Sequence, residues 1–136
     1  MPSLLRVHSG LVTTPAGSGP LSGLVVADFS RVLAGPYAAM TLGDLGATVI
    51  KVERPDTGDD TRAWGPPWAG DASTYFPALN RNKRSIALDF RVREDLEVAT
   101  RLIRHSDVVI ENFRPGSLTR FGLDAEQALT ANPRLV

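Results

Sequence analysis

The stretch from Leu21 to Arg62, LSGLVVADFSRVLAGPYAAMTLGDLGATVIKVERPDTGDDTR, runs in the order strand, glycine-bearing turn, helix, strand, mixed-charge loop. Two strands joined through a helix pair in parallel, and such crossovers are right-handed, so this one segment sets the layering of whatever sheet it joins. Leu24 to Phe29 is apolar except for Asp28 near its end, as a buried parallel strand reads. Ser30 to Pro36 forms the turn. Tyr37, Met40, Leu42 and Leu45 then follow helical spacing until Gly46 stops it, and Thr48 to Glu53 is a β-branched second strand that ends before Pro55.

Strands and helices continue to alternate downstream. The region from Arg54 to Gly70 holds three prolines and three glycines and reads as a long loop, the kind of segment that carries function. Thr74 to Leu79 makes a helical turn and Ser85 to Phe90 a strand. Leu96, Ala99, Leu102 and Ile103 form one face of a helix, Asp107 to Phe113 is another strand, and Ala125 to Ala131 is a last helix. A further strand has barely begun at Arg134. The expected fold class is α/β: a Rossmann-like, open, largely parallel sheet with flanking helices, incomplete at its carboxyl end. Residues 1–20 are rich in Ser, Thr, Gly and Pro and read as a flexible leader, with a weak mitochondrial transit peptide as the alternative. Residues 21–136 are the amino-terminal part of the folded domain.

Fifteen basic residues balance fifteen acidic ones, so the total charge favours neither nucleic acid nor a membrane surface as partner. There is no cysteine, which excludes disulfides, thiolate zinc ligands and a thiol nucleophile within this segment and fits a reducing compartment. No apolar run approaches the ~20 residues needed to cross a bilayer. Charge is unevenly placed, however: Arg81, Lys83, Arg84, Arg91 and Arg93 cluster, giving a local positive surface that could face an anion.

The spacing from Gly35 to Glu53 resembles that from a dinucleotide turn to a ribose-binding acid, but the turn L-A-G-P-Y-A-A holds one glycine where a dinucleotide fingerprint needs three. Pro36 reads instead as a helix starter. Arg54, Arg91 and Arg114 each follow a strand, and in open α/β sheets ligands bind at the carboxyl ends of strands. Guanidinium groups on that rim match phosphate oxygens, and a phosphate-rich ligand without the glycine fingerprint points to the coenzyme A class. Asn112, Phe113, Pro115 and Gly116 form a tight turn in which Phe113 is either core or a stacking face for adenine. Asp59 and Asp60 read as solvated loop acids, and His8 and His105 are unpersuasive catalysts. No metal-ligand or Ser–His–Asp constellation is visible.

The motifs D-F-S-R-V-L-A-G-P, G-D-L-G-A-T-V-I-K-V-E-R-P, G-D-D-T-R, N-R-N-K-R-S-I-A-L-D and E-N-F-R-P-G together resemble the amino-terminal part of the family III CoA-transferases, from Leu21 to Val136. The loop D-D-T-R-A-W-G-P-P-W with S-T-Y-F and N-R-N-K-R-S looks most like the succinyl-CoA-dependent members that act on dicarboxylates such as succinate and hydroxymethylglutarate. An acyl-CoA racemase of the α-methylacyl type is the alternative within the family.

The resemblance implies coenzyme A or acyl-CoA as substrate and no tightly bound cofactor. It implies CoA-binding positions at Val32, Leu33, Ala34, Arg54, Leu88, Asp89, Phe90, Arg91, Asn112, Phe113, Arg114 and Arg120. It places the catalytic aspartate beyond Val136, so no aspartate here takes that role and the chain alone is expected to be an inactive fragment that at best supplies binding. It implies an interlocked homodimer for the full-length protein, with no nucleic-acid or membrane partner. The expected location is the cytoplasm, with the mitochondrial matrix as alternative.

Overall fold

The computed structural model describes residues 18–136, so the leader reading for residues 1–17 lies outside the described residues. The elements in order are β1 (Val25–Asp28), α1 (Ala34–Asp44), β2 (Thr48–Glu53), β3 (Trp68–Ala69), β4 (Ala72–Ser73), α2 (Tyr75–Asn80), β5 (Lys83–Ala87), α3 (Arg93–Arg104), β6 (Val108–Ile110) and α4 (Ala125–Ala131). Single 3-10 turns occupy Asp60–Ala63 and Thr119–Phe121.

Four strands form one parallel sheet in the order β5-β2-β1-β6, while β3 and β4 make a small antiparallel hairpin. The chain steps outward from β1 to β2 to β5, then returns to place β6 on the other side of β1. Strand order therefore reverses between β1 and β6, the position at which open α/β sheets form a ligand crevice. Beside β6, the Val109 N–H donates to Val136 O at 2.9 Å and the Val136 N–H to Asp107 O at 3.1 Å, which continues the ladder.

The alternation of side chains along β1 explains the layers. Ala27 and Phe29 face one side and join Val52, Leu88, Ala99, Ile103, Leu118, Leu123 and Ala128, packing α3 and α4 there. Val26 faces the other side with Val49, Ala39 and Ala47, against α1. Each fully buried aliphatic side chain of this kind contributes about 1.5–3 kcal/mol. Helix α3 also follows its dipole, with Glu94 and Asp95 in the first turn and Arg101 and Arg104 in the last.

Four boundaries differ from the sequence expectation by more than a residue, the first being α1, which begins at Ala34 inside the turn expected over Ser30 to Pro36. The strand expected over Ser85 to Phe90 is β5 over Lys83–Ala87, because the Asp89 side chain and carbonyl turn the chain, accepting from the Arg91 N–H at 3.0 Å and the Val92 N–H at 2.8 Å. The strand expected over Asp107 to Phe113 stops at Ile110, and beyond it Glu111 turns back to accept from the Phe113 N–H at 2.8 Å. The long loop after Arg54 carries short regular pieces, starting with a 3-10 turn capped by the Asp59 side chain on the Thr61 N–H at 3.0 Å. Among the described residues no helix is long and apolar enough to cross a membrane.

Candidate functional site: a basic cleft at the strand ends

A cleft of about 600 Å³ opens at the carboxyl ends of β1, β2 and β5. Its aromatic walls are Phe29, Phe90, Phe113 and Phe121, and its guanidinium groups belong to Arg31, Arg54, Arg91 and Arg120. Phe90 bridges the aromatic set, with ring centroids 5.9 Å from Phe29 and 5.7 Å from Phe121. Such a surface presents flat apolar faces beside charged forks, which suits a heteroaromatic ring attached to phosphates.

Of the residues expected from the sequence, Arg54, Leu88, Asp89, Phe90, Arg91, Phe113 and Arg120 line this cleft. Val32, Leu33, Ala34, Asn112 and Arg114 do not line it. Val32 sits in the left-handed region with φ 73°, unusual for a β-branched residue, and leads into Leu33 and Ala34 at the start of α1. The Asn112 amide is engaged with the backbone of Arg31: Oδ1 accepts from the Arg31 N–H at 2.9 Å and Nδ2 donates to Arg31 O at 2.7 Å. Asn112 thus joins the ends of β1 and β6 at the point where strand order reverses. Arg114 is exposed on the same turn. Phe113, expected as either core or a stacking face for adenine, packs on the core and also lines the cleft, with the Arg31 guanidinium 5.0 Å from its ring centroid.

Residues absent from the sequence expectations include Arg31 and Lys51. Arg31 follows β1 as Arg54 follows β2, so the strand-end rule that selected Arg54 also selects Arg31. Asp59 is a correction: expected as a solvated loop acid, its side chain is fully buried, with Lys51 Nζ at 2.9 Å and the Thr61 N–H and hydroxyl at 3.0 and 2.8 Å. Lys51 also donates to Ser30 O at 2.9 Å and lies 4.0 Å from Asp28, whose carboxylate holds Lys83 at 2.8 Å. No periodicity marks these residues in advance, because the partners lie on different elements.

The charges under the cleft are therefore matched. Burial pulls the Glu53 carboxyl up, but the hydrogen bonds from Arg62, Ser85 and the Asp59 N–H, with the Arg62 charge, together outweigh it and leave Glu53 below its ordinary value. Burial also opposes ionisation of Asp59, and the Thr61 N–H with Lys51 holds it below its ordinary value. Burial lowers Lys83 to about 8 in spite of Asp28. On the rim, the hydrogen bonds from Arg91 hold the half-buried Asp89 down at about 2. Among the described residues no group of His, Cys, Asp or Glu is arranged to hold a metal ion.

Close approach explains the single glycine of the first turn. A Cβ at Gly35 would overlap both the Cβ and the hydroxyl of the buried Ser30, so α1 begins this close to β1 only with glycine there. At Gly58, φ is +64° and a Cβ would sit 2.6 Å from Glu53 Oε2.

A doubly wound parallel sheet with a basic, aromatic-walled cleft at its reversal of strand order is the ground plan of an α/β ligand-binding domain. Residues 21–136 match the sequence model of CoA-transferase family III, and the chain belongs to that family. It is 48% identical over 128 residues to the succinate–glutarate CoA-transferase of Agrobacterium fabrum, covering 90% of this chain and 32% of that protein. It is 49% identical over 117 residues to the human succinyl-CoA:glutarate CoA-transferase, covering 86% of this chain and 27% of that protein. The crystal structure of a CaiB/BaiF family protein from Brucella suis superposes with a TM-score of 0.82 at 52% identity, over 87% of this chain and 32% of that one. The chain spans about a third of the length of these relatives.

Proposed function

We propose that this chain is the coenzyme A-binding part of a CoA-transferase that moves CoA from an acyl-CoA, succinyl-CoA in the first instance, to a dicarboxylic acid. The observation that carries the reading is the convergence of Arg31, Arg54, Arg91 and Arg120 with four phenylalanines on one cleft at the strand ends. Phosphates take the guanidinium forks and the adenine lies against the aromatic wall, while Val32 to Ala34, Asn112 and Arg114 shape the surrounding turns. Relatives named for succinate–glutarate, succinyl-CoA:glutarate and succinyl-CoA–D-citramalate transfer support the dicarboxylate acceptor.

In the proposed reaction an aspartate outside this segment attacks the thioester carbonyl, the C–S bond breaks and CoA thiolate leaves, giving a mixed anhydride. The thiolate attacks the aspartyl carbonyl, expels the donor acid and forms an aspartyl thioester; an acceptor carboxylate then reverses the two steps. The residues of this segment bind and orient. Asp28 and Asp59 are already committed to buried lysines, which suits them to structure and not to nucleophilic attack. Holding the distant nucleotide end contributes by fixing the thioester in place. Assembly as an interlocked homodimer, in the cytoplasm or the mitochondrial matrix, belongs to the same reading.

Two measurements test it. Calorimetric titration should give tighter binding of coenzyme A than of its 3′-dephospho form, with Arg54→Ala weakening both forms. Incubation of the whole protein with succinyl-CoA and a panel of dicarboxylates should yield the acceptor's CoA thioester. Equal binding of both forms together with α-proton exchange in a branched acyl-CoA, and no CoA passing to any acid, would overturn the transferase reading.

A further inference from the structure

We propose that Asp60 is a positioning residue of the cleft, whose carboxylate draws Arg31 and Arg54 together into one pair able to hold adjacent phosphate groups. The inference rests on the coenzyme A reading and deepens it. Arg31 follows β1 and Arg54 follows β2, and both line the cleft; Asp60 stands outside the lining. Its Oδ1 accepts from Arg54 Nη2, and its Oδ2 lies 3.7 Å from Arg31 Nη1, so each oxygen takes a different arginine.

The rest of each arginine is also held. The backbone of Arg31 is gripped by the Asn112 amide and its guanidinium lies over Phe113, while Arg54 Nε donates to Gly58 O at 3.3 Å. Asp60 itself sits in a 3-10 turn capped by the buried Asp59. One carboxylate between two guanidiniums leaves a surplus positive charge at the pair. Arg91 differs: Asp89, two residues away, takes it one to one through two oxygens. The surplus therefore lies at Arg31 and Arg54, and a diphosphate, with oxygens on neighbouring phosphorus atoms, fits two forks held side by side.

The sign of a substitution separates this from simple charge counting. Removing a negative charge beside an anion site should tighten anion binding if Asp60 acts only through its field. If it positions the arginines, Asp60→Asn and Asp60→Ala should weaken binding of both coenzyme A and inorganic pyrophosphate by about two- to fivefold, the range of an exposed ion pair. The penalty of Arg31→Ala should also shrink in the Asp60→Asn background, since the two residues act together. The experiment is calorimetric titration of the whole protein and these variants with both probes, with thermal unfolding midpoints measured alongside. Weaker binding at an unchanged midpoint, with that coupling, is the expected result. Unchanged or tighter binding by Asp60→Asn, where the unsubstituted protein binds both probes, overturns this inference alone. A protein that binds neither probe overturns the coenzyme A reading and this inference with it.

Discussion

Lys51 Nζ lies 2.9 Å from Asp59 Oδ2, and solvent reaches neither side chain beyond 1%. Through this pair β2 holds the loop that follows it against the base of the cleft, with Ser30 O and the Thr61 N–H completing the hydrogen bonding. The pair is buried and satisfied, so breaking it costs far more than breaking a surface ion pair.

Asp59→Ala is expected to destabilise the fold by about 3 kcal/mol, because Lys51 is left as a buried cation facing Asp28 only at 4.0 Å. Urea unfolding measures it. Asp59→Asn keeps an acceptor for Thr61 but removes the charge, so a loss nearly as large identifies the ion pair and not the cap as the source.

Acid should unfold this protein through Glu53 and Asp59. Both folded-state pKa values lie below their ordinary values of 4.5 and 3.8, so the unfolded chain takes up protons first. Their contribution is complete above those ordinary values and is lost as pH falls through the lower folded ones. The stability difference between the unsubstituted protein and Glu53→Gln should therefore shrink below pH 4.5. A difference constant down to pH 2 or so would contradict the Arg62 and Ser85 pairing.

Lys83 adds a dependence of the same sign at alkaline pH, arising from a penalty on its charged form. Its folded pKa of about 8 lies below the ordinary 10.5, so in that window the unfolded chain binds the proton more tightly. Charging Lys83 in the fold carries its full cost below pH 8, and the cost is relieved as pH rises to 10.5. Relative to Lys83→Met, the unsubstituted protein should gain about 3 kcal/mol across that interval, read from urea midpoints.

Gly35→Ala should destabilise by about 1–3 kcal/mol, because the new methyl group overlaps the buried Ser30 side chain. Ser30→Gly in the same chain should recover part of the loss in thermal unfolding, whereas a purely conformational effect at Gly35 would not respond to Ser30.

Arg91→Ala and Arg114→Ala form an internal comparison. Arg91 lines the cleft and Arg114, exposed on the turn after β6, does not. Coenzyme A affinity should fall about tenfold for the first, as for a charge-assisted phosphate contact, and change little for the second. Equal losses would move the phosphate site toward the β6 turn.

Local information carried the reading of the sheet. The apolar runs of β1 and β2, the helical spacing of α1 and α3 and the stop at Gly46 are properties of neighbours in sequence, and the structure places strands and helices there. The strand-end rule found Arg54 and Arg91 because position at a strand terminus is also nearly local. The ends of β5 and β6 were less legible, since the Asp89 and Glu111 side chains that turn the chain compete with ladder bonds only once the strands are paired.

The amino-acid sequence alone determined the α/β alternation, the parallel pairing that a helical crossover enforces and the arginines that follow strands. Tertiary structure alone decided that Asp59 leaves solvent to meet Lys51, that Asn112 clasps the backbone of Arg31, and that Asp60 touches two arginines from different strands. The physical reason is range. Periodicity and turn chemistry act over a few residues, whereas a buried ion pair or a shared carboxylate depends on the desolvated meeting of segments that the sheet order brings together.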